Sequence, residues 1–138
     1  MIVVDASAVL EWLKWTAAGR ALDDRIQRPG ESIHAPHVID LEVAQALSRW
    51  RQQTPLTEDD ARASFEDFGS LVIHRYPHDI LAPRIWALGG GLTAHEAAYA
   101  ALAEALGAPL LTADPELADS LEGAGSSAAV EVLGPRAQ

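Results

Sequence analysis

The chain has 138 residues, 49 % of them hydrophobic and 22 % charged, enough apolar material for one buried core and too much for a disordered segment. It holds no cysteine, which excludes a disulfide framework, a thiolate zinc centre and a cysteine nucleophile. Twenty acids against ten bases leave a formal charge of −10, and Lys14 is the one lysine; this excludes a generic basic coat for nucleic acid, but not an enzyme whose positive charge comes as bound metal or through a few placed arginines.

Ile2-Val3-Val4 reads as a short strand, and Ala6 to Trp15 changes at once to helical spacing. Arg20 to Gln27 is the next expected helix, stopped by Pro29-Gly30, and Ser32 to Ala35 is a strand ending at Pro36. Val38 to Gln52 is helical. Thr57 followed by Glu58, Asp59 and Asp60 is a helix start with acids in its first turn, continued by Ala61, Phe65 and Phe68. Leu71 to Tyr76 is β-like, Asp79 to Leu88 helical, and Ala94 to Leu106 an alanine-rich helix closed by Gly107. Pro109 to Thr112 is a strand, a short helix runs to about Glu122, and Ala129 to Leu133 is the last strand. Strands alternating with helices predict an α/β domain, a central, mostly parallel sheet with helices on both faces.

There is no internal repeat and no composition shift that would mark a boundary, so residues 1–138 are expected to form a single domain. No run approaches the ~20 apolar residues of a membrane span. The opening Met1-Ile2-Val3-Val4-Asp5 lacks the basic stretch of a secretory signal, and the expected location is the cytoplasm.

In a parallel α/β sheet, strand ends and the first turns of the following helices share one edge, and ligands bind there. Asp5 follows the first strand and Asp114 the Leu110-Leu111-Thr112 strand, while Glu42 and Glu96 lie early in the helices beginning near Val38 and Ala94. Four carboxylates from four segments are thus directed to one place, where they would repel one another unless protonated or bridged by a cation. An oxygen-only donor set without histidine or cysteine at matching spacing suits Mg²⁺ or Mn²⁺ rather than zinc. Each acid also has a local use. Asp114 before Pro115 has the form of an N-cap, Thr93-Ala94-His95-Glu96 that of a capping box, Asp5 can cap the first helix, and Glu42 borders the polar arc of its own. Neither G-x-x-x-x-G-K-[ST] nor G-x-S-x-G occurs, and Asp5-Ala6-Ser7 lacks the second aspartate of haloacid-dehalogenase-type phosphotransfer enzymes.

The opening Ile-Val-Val-Asp-Ala-Ser-Ala, the Ala-Pro-His-Val-Ile-Asp-Leu-Glu-Val-Ala-Gln-Ala-Leu segment around Glu42, and the stretch Leu-Thr-Ala-His-Glu-Ala-Ala-Tyr-Ala-Ala-Leu-Ala-Glu-Ala-Leu-Gly-Ala-Pro-Leu-Leu-Thr-Ala-Asp resemble the PIN-domain ribonucleases, in particular the VapC-type toxins of bacterial toxin–antitoxin pairs. The resemblance implies a PIN-like fold, with Asp5, Glu42, Glu96 and Asp114 at the acidic, metal-binding catalytic positions and Ser7 and Thr112 as supporting hydroxyls. It implies an endoribonuclease in which a metal-activated water attacks an RNA phosphodiester in line, leaving 5′-phosphate and 3′-hydroxyl ends, on structured RNA of the transfer or ribosomal class. One departure stands out: His95-Glu96 replaces the family's usual aspartate after an aromatic residue, and the added methylene moves the carboxylate by roughly one 1.5 Å bond. A catalytically weak PIN-like module acting through protein binding is the alternative that this departure raises.

The resemblance also implies a VapB-type antitoxin lying in a groove of the protein, and a homodimer. Trp12 and Trp15 sit on a first helix more apolar than one buried face requires, which makes them candidates for either contact. Arg20, Arg25, Arg49 and Arg84 are candidate phosphate-positioning residues, and His95 a candidate substrate contact.

Overall fold

Three consecutive aliphatic residues with no exposed surface, Ile2–Val4, form β1, the middle strand of a five-stranded sheet in the computed structural model, which describes residues 1–53 and 58–134. The chain continues through α1 (Ala6–Lys14), α2 (Ala17–Ile26), β2 (Ile33–Pro36), α3 (Val38–Gln53), α4 (Glu58–Ser70) and β3 (Ile73–Tyr76). Then follow α5 (Ala82–Leu88), α6 (Ala94–Leu106), β4 (Leu110–Thr112), α7 (Leu117–Gly123) and β5 (Val130–Val132). The strand order is β3-β2-β1-β4-β5 and every neighbouring pair is parallel, with Ile2 opposite Ile33, Val3 opposite Leu110 and His34 opposite His74.

Successive strand residues point to opposite faces, yet every residue of β1, β2 and β4 is buried, so both faces of the sheet centre are covered. The sheet is fully parallel where the sequence predicts a mostly parallel one. Parallel neighbours need long crossovers, and the helices between the strands supply them. From β1 the chain builds outwards through β2 to β3, then returns to the other side of β1 to add β4 and β5. The junction of β1 and β4 is therefore the point where strand order reverses, and the carboxyl ends of those two strands open a crevice there.

Element boundaries differ from the sequence expectation in a few places. α2 begins at Ala17, not Arg20, because the Thr16 hydroxyl accepts the Gly19 N–H at 3.1 Å and caps the helix early. Between α1 and α2, Trp15 adopts a left-handed conformation (φ 57°) that closes α1 onto the carbonyls of Glu11 and Trp12. Gly19 then lies so close to α1 that a β-carbon there would stand 2.1 Å from the Glu11 carbonyl oxygen, so the two helices cross backbone to backbone. α5 starts at Ala82 rather than Asp79, β3 at Ile73 rather than Leu71, and β5 is confined to Val130–Val132. The helix start expected at Thr57 lies outside the described residues; α4 carries Glu58, Asp59 and Asp60 in its first turn. No helix among the described residues is long and apolar enough to cross a membrane.

Candidate active site

Asp5 is the residue at which β1 becomes α1. Its backbone is extended, and its side chain caps the helix by accepting the Ala8 N–H at 3.0 Å. The same oxygen, Oδ1, accepts the Ser7 hydroxyl at 2.7 Å, and Oδ2 accepts the hydroxyl of Thr112, the last residue of β4. Each hydroxyl is itself fed by a backbone amide of the loop after β4: Ala113 N–H donates to Ser7 Oγ and Asp114 N–H to Thr112 Oγ1, both at 3.0 Å. Amide, hydroxyl and carboxylate thus form two short polarised chains that fasten the ends of β1 and β4 together. Burial pushes the Asp5 carboxyl above the ordinary range, the bonds from Thr112, Ser7 and Ala8 oppose it, and the negative charge of Glu42 adds to the upward shift.

Glu42, one turn into α3, faces this group from across the crevice. Its Oε1 accepts the hydroxyl of Tyr99 on α6 at 2.6 Å, and its Oε2 lies 3.5 Å from Nδ1 of His95. Glu96 and Asp114 line the same cavity of about 220 Å³, together with Asp5, Glu42, Ser7, Thr93, His95, Tyr99 and Leu117. All four acids expected at the site are therefore brought to one cavity, and the two expected hydroxyls hold Asp5.

The acids are held in two different ways. Glu96 Oε1 turns back to accept the Thr93 N–H at 2.9 Å while its own N–H donates to Thr93 Oγ1, a complete capping box at the start of α6. The methylene that distinguishes glutamate from aspartate is what gives this side chain the reach. Asp114 Oδ1 accepts the Glu116 N–H at 3.0 Å, an Asx turn. Asp114 is not the N-cap of α7, which begins at Leu117; the Asp114-Pro115 step makes a turn before the helix instead. In this arrangement no three Asp, Glu or His side chains among the described residues are placed to hold one metal ion.

No arginine or lysine among the described residues forms an ion pair with any of the four acids; His95 beside Glu42 is the one basic side chain that does. The arginines singled out from the sequence are engaged elsewhere. Arg25 pairs with Glu131 and Glu31, Arg84 clamps Glu104 through bonds of 2.8 and 2.9 Å, and Arg20 donates to the Trp15 carbonyl at 2.9 Å. Arg49 is exposed on α3. Trp12 packs against the core and its indole N–H donates to Asp23 at 3.0 Å, joining α1 to α2, whereas Trp15 is half exposed. A larger groove of about 800 Å³ beside α5, lined by Ile85, Trp86 and Leu92, is mainly apolar and holds none of the four acids, which all lie at the smaller cavity.

Tyr99 is the site residue that sequence reasoning misses. The available signal is a hydroxyl-bearing aromatic in an otherwise alanine-rich buried stretch, one turn after Glu96 and hence on the same side of α6.

The family model described as PIN domain matches residues 2–120. VapC ribonuclease Mb0985 of Mycobacterium bovis is 41 % identical over 120 residues, covering 87 % of this chain and 91 % of that protein. Ribonuclease VapC12 of Mycobacterium tuberculosis is 38 % identical over 120 residues, covering 87 % of this chain and 92 % of its own. Among solved structures, PAE2754 from Pyrobaculum aerophilum superposes with a TM-score of 0.66 over 95 % of this chain and 83 % of that one; at 24 % identity it bears on the fold alone.

Proposed function

The chain belongs to the PIN-domain family, and from that membership we propose that it is a metal-dependent endoribonuclease toxin of a type II toxin–antitoxin pair, hydrolysing RNA of the transfer or ribosomal class and neutralised by a VapB-type antitoxin. The observation that carries the reading is the convergence of Asp5, Glu42, Glu96 and Asp114 on one cavity, at the strand-order reversal, with no arginine or lysine among the described residues to balance them. Such a set has the right chemistry for a hard divalent cation, Mg²⁺ or Mn²⁺: oxygen donors only, and surplus negative charge.

The residues present fit that cation. Asp5 and Glu42 are fixed by donors from other segments, whereas Glu96 and Asp114 are tied only to amides within three residues, so rotation of two exposed or half-exposed side chains brings further oxygens towards the cavity. When bound, the cation supplies a lowered pKa for water and neutralisation of charge on a phosphoryl oxygen. The chain's own residues do the rest. Ser7 and Thr112 keep the Asp5 oxygens in place, and the amides behind them stiffen those hydroxyls. His95, 63 % exposed and beside Glu42, is the candidate contact for an RNA phosphate entering the cavity.

The test is cleavage of labelled transfer and ribosomal RNA by folded, antitoxin-free protein with Mg²⁺, Mn²⁺ or EDTA, beside Asp5→Asn. The expected outcome is cation-dependent cutting that Asp5→Asn reduces on the order of 10³-fold or more. Folded protein that neither cuts RNA nor binds Mn²⁺ would instead favour a PIN-like module acting through protein binding, a reading consistent with Glu96 being turned back onto the Thr93 amide.

A further inference from the structure

Resting on the reading that these acids hold a divalent cation, we propose that Tyr99 is a positioning residue that presents Glu42 to the metal. Residues 97–103 of α6 are buried and, apart from Tyr99 and Leu102, all alanine, which lets the helix lie close to β1 and β2. Tyr99 is the exception in size and the only hydrogen-bonding side chain in that stretch. It is 4 % exposed, and its hydroxyl reaches 57 residues back along the chain to donate to Glu42 Oε1 at 2.6 Å.

Glu42 needs such a partner. It stands on α3 between exposed Leu41 and buried Val43, and its three side-chain torsions would otherwise leave the carboxylate free to turn towards water. The Tyr99 bond engages Oε1 and leaves Oε2, 3.5 Å from Nδ1 of His95, as the oxygen a cation would take. The phenol is almost wholly buried, and Glu42 is the acceptor that such a buried hydroxyl requires. Orientation of a ligating carboxylate by a hydrogen bond behind it is a general means of tuning metal sites.

The experiment measures Mn²⁺ affinity, by electron paramagnetic resonance of the free ion, for wild type, Tyr99→Phe, Glu42→Gln and the double variant, each checked by circular dichroism. Phenylalanine keeps the ring and removes only the hydroxyl. Tyr99→Phe is expected to weaken Mn²⁺ binding about tenfold, and to change it less than twofold once Glu42 is already glutamine. Folded Tyr99→Phe that binds Mn²⁺ as wild type does overturns the positioning role while leaving the metal reading intact. An equal loss in both backgrounds shows that Tyr99 does not act through Glu42 and overturns it as well. Wild-type protein that takes up no Mn²⁺ overturns the metal reading, and the role of Tyr99 with it.

Discussion

Glu104 and Asp5 are both carboxylates gripped by several donors, and they end on opposite sides of the ordinary range. Glu104, on α6, accepts two bonds from Arg84 and others from Ser126 and the Ser127 amide, and its carboxyl is lowered to about 2. Asp5 accepts from Ser7, Ala8 and Thr112, and its carboxyl is raised. The difference is the cation. Around Glu104 an arginine completes the charge balance, and the cluster ties α5, α6 and the loop before β5 into one unit. Around Asp5 the donors are neutral, the next charge is another carboxylate, and the group is buried. Carboxylates that each accept several hydrogen bonds thus form a self-sufficient structural clamp in one place and, in the other, a centre where positive charge supplied from outside would be favourable.

The largest expected effect tests that contrast directly. Mn²⁺ or Mg²⁺ at about a hundred times its dissociation constant should stabilise the folded state by about 2.7 kcal/mol, read as a rise in melting temperature, and Asp5→Asn should abolish most of the rise. Next is the acid limb of the stability profile. Because the folded pKa of Glu104 lies near 2 and its ordinary value is 4.5, its contribution is fully present above about 4.5 and is lost as pH falls towards 2. Discounted for the exposure of its partner, that contribution is about 1–2 kcal/mol, and Glu104→Gln should flatten this limb in acid denaturation curves. Asp5 acts with the opposite sign. Its folded pKa lies above the ordinary 3.8, so metal-free protein should lose stability as pH rises through the raised value, and added cation should erase that loss.

Smaller effects sharpen the division among the four acids. Thr93→Ala removes one half of the capping box and should cost about 1 kcal/mol in thermal or urea unfolding. Glu96→Gln keeps a side chain that can still accept the Thr93 N–H, so stability should change by less than about 0.5 kcal/mol. Mn²⁺ affinity should nevertheless fall severalfold, since the removed charge belongs to the cavity.

The fold was legible where local and long-range demands agree. Ile2–Val4 is apolar at every position because it is covered on both faces, Gly107 stops α6 in a left-handed conformation, and Thr93 and Glu96 announce the start of that helix. The acids could be read because the chain returns to the same sheet edge after each parallel strand, so placing the strand ends places Asp5 and Asp114. What could not be read depends on contacts between distant segments. Arg25 and Arg84 look like free cations in the sequence, but their partners Glu131 and Glu104 are brought alongside only by the crossovers. The Tyr99 bond to Glu42 likewise joins two helices whose relative placement no local pattern encodes. Glu96 is ambiguous for a different reason: the capping bond it makes and the ligating role proposed for it would use the same atoms, and a side-chain rotation separates the two.

The bond from Thr112 to Asp5 spans 107 residues, because β1 waits for β4 to complete its second side. The Asp5 carboxylate and its hydroxyl donor therefore meet only once β4 has paired with β1. Until that pairing forms, the carboxylate stands without the cavity around it, so the sheet and the acid cluster are completed in the same step.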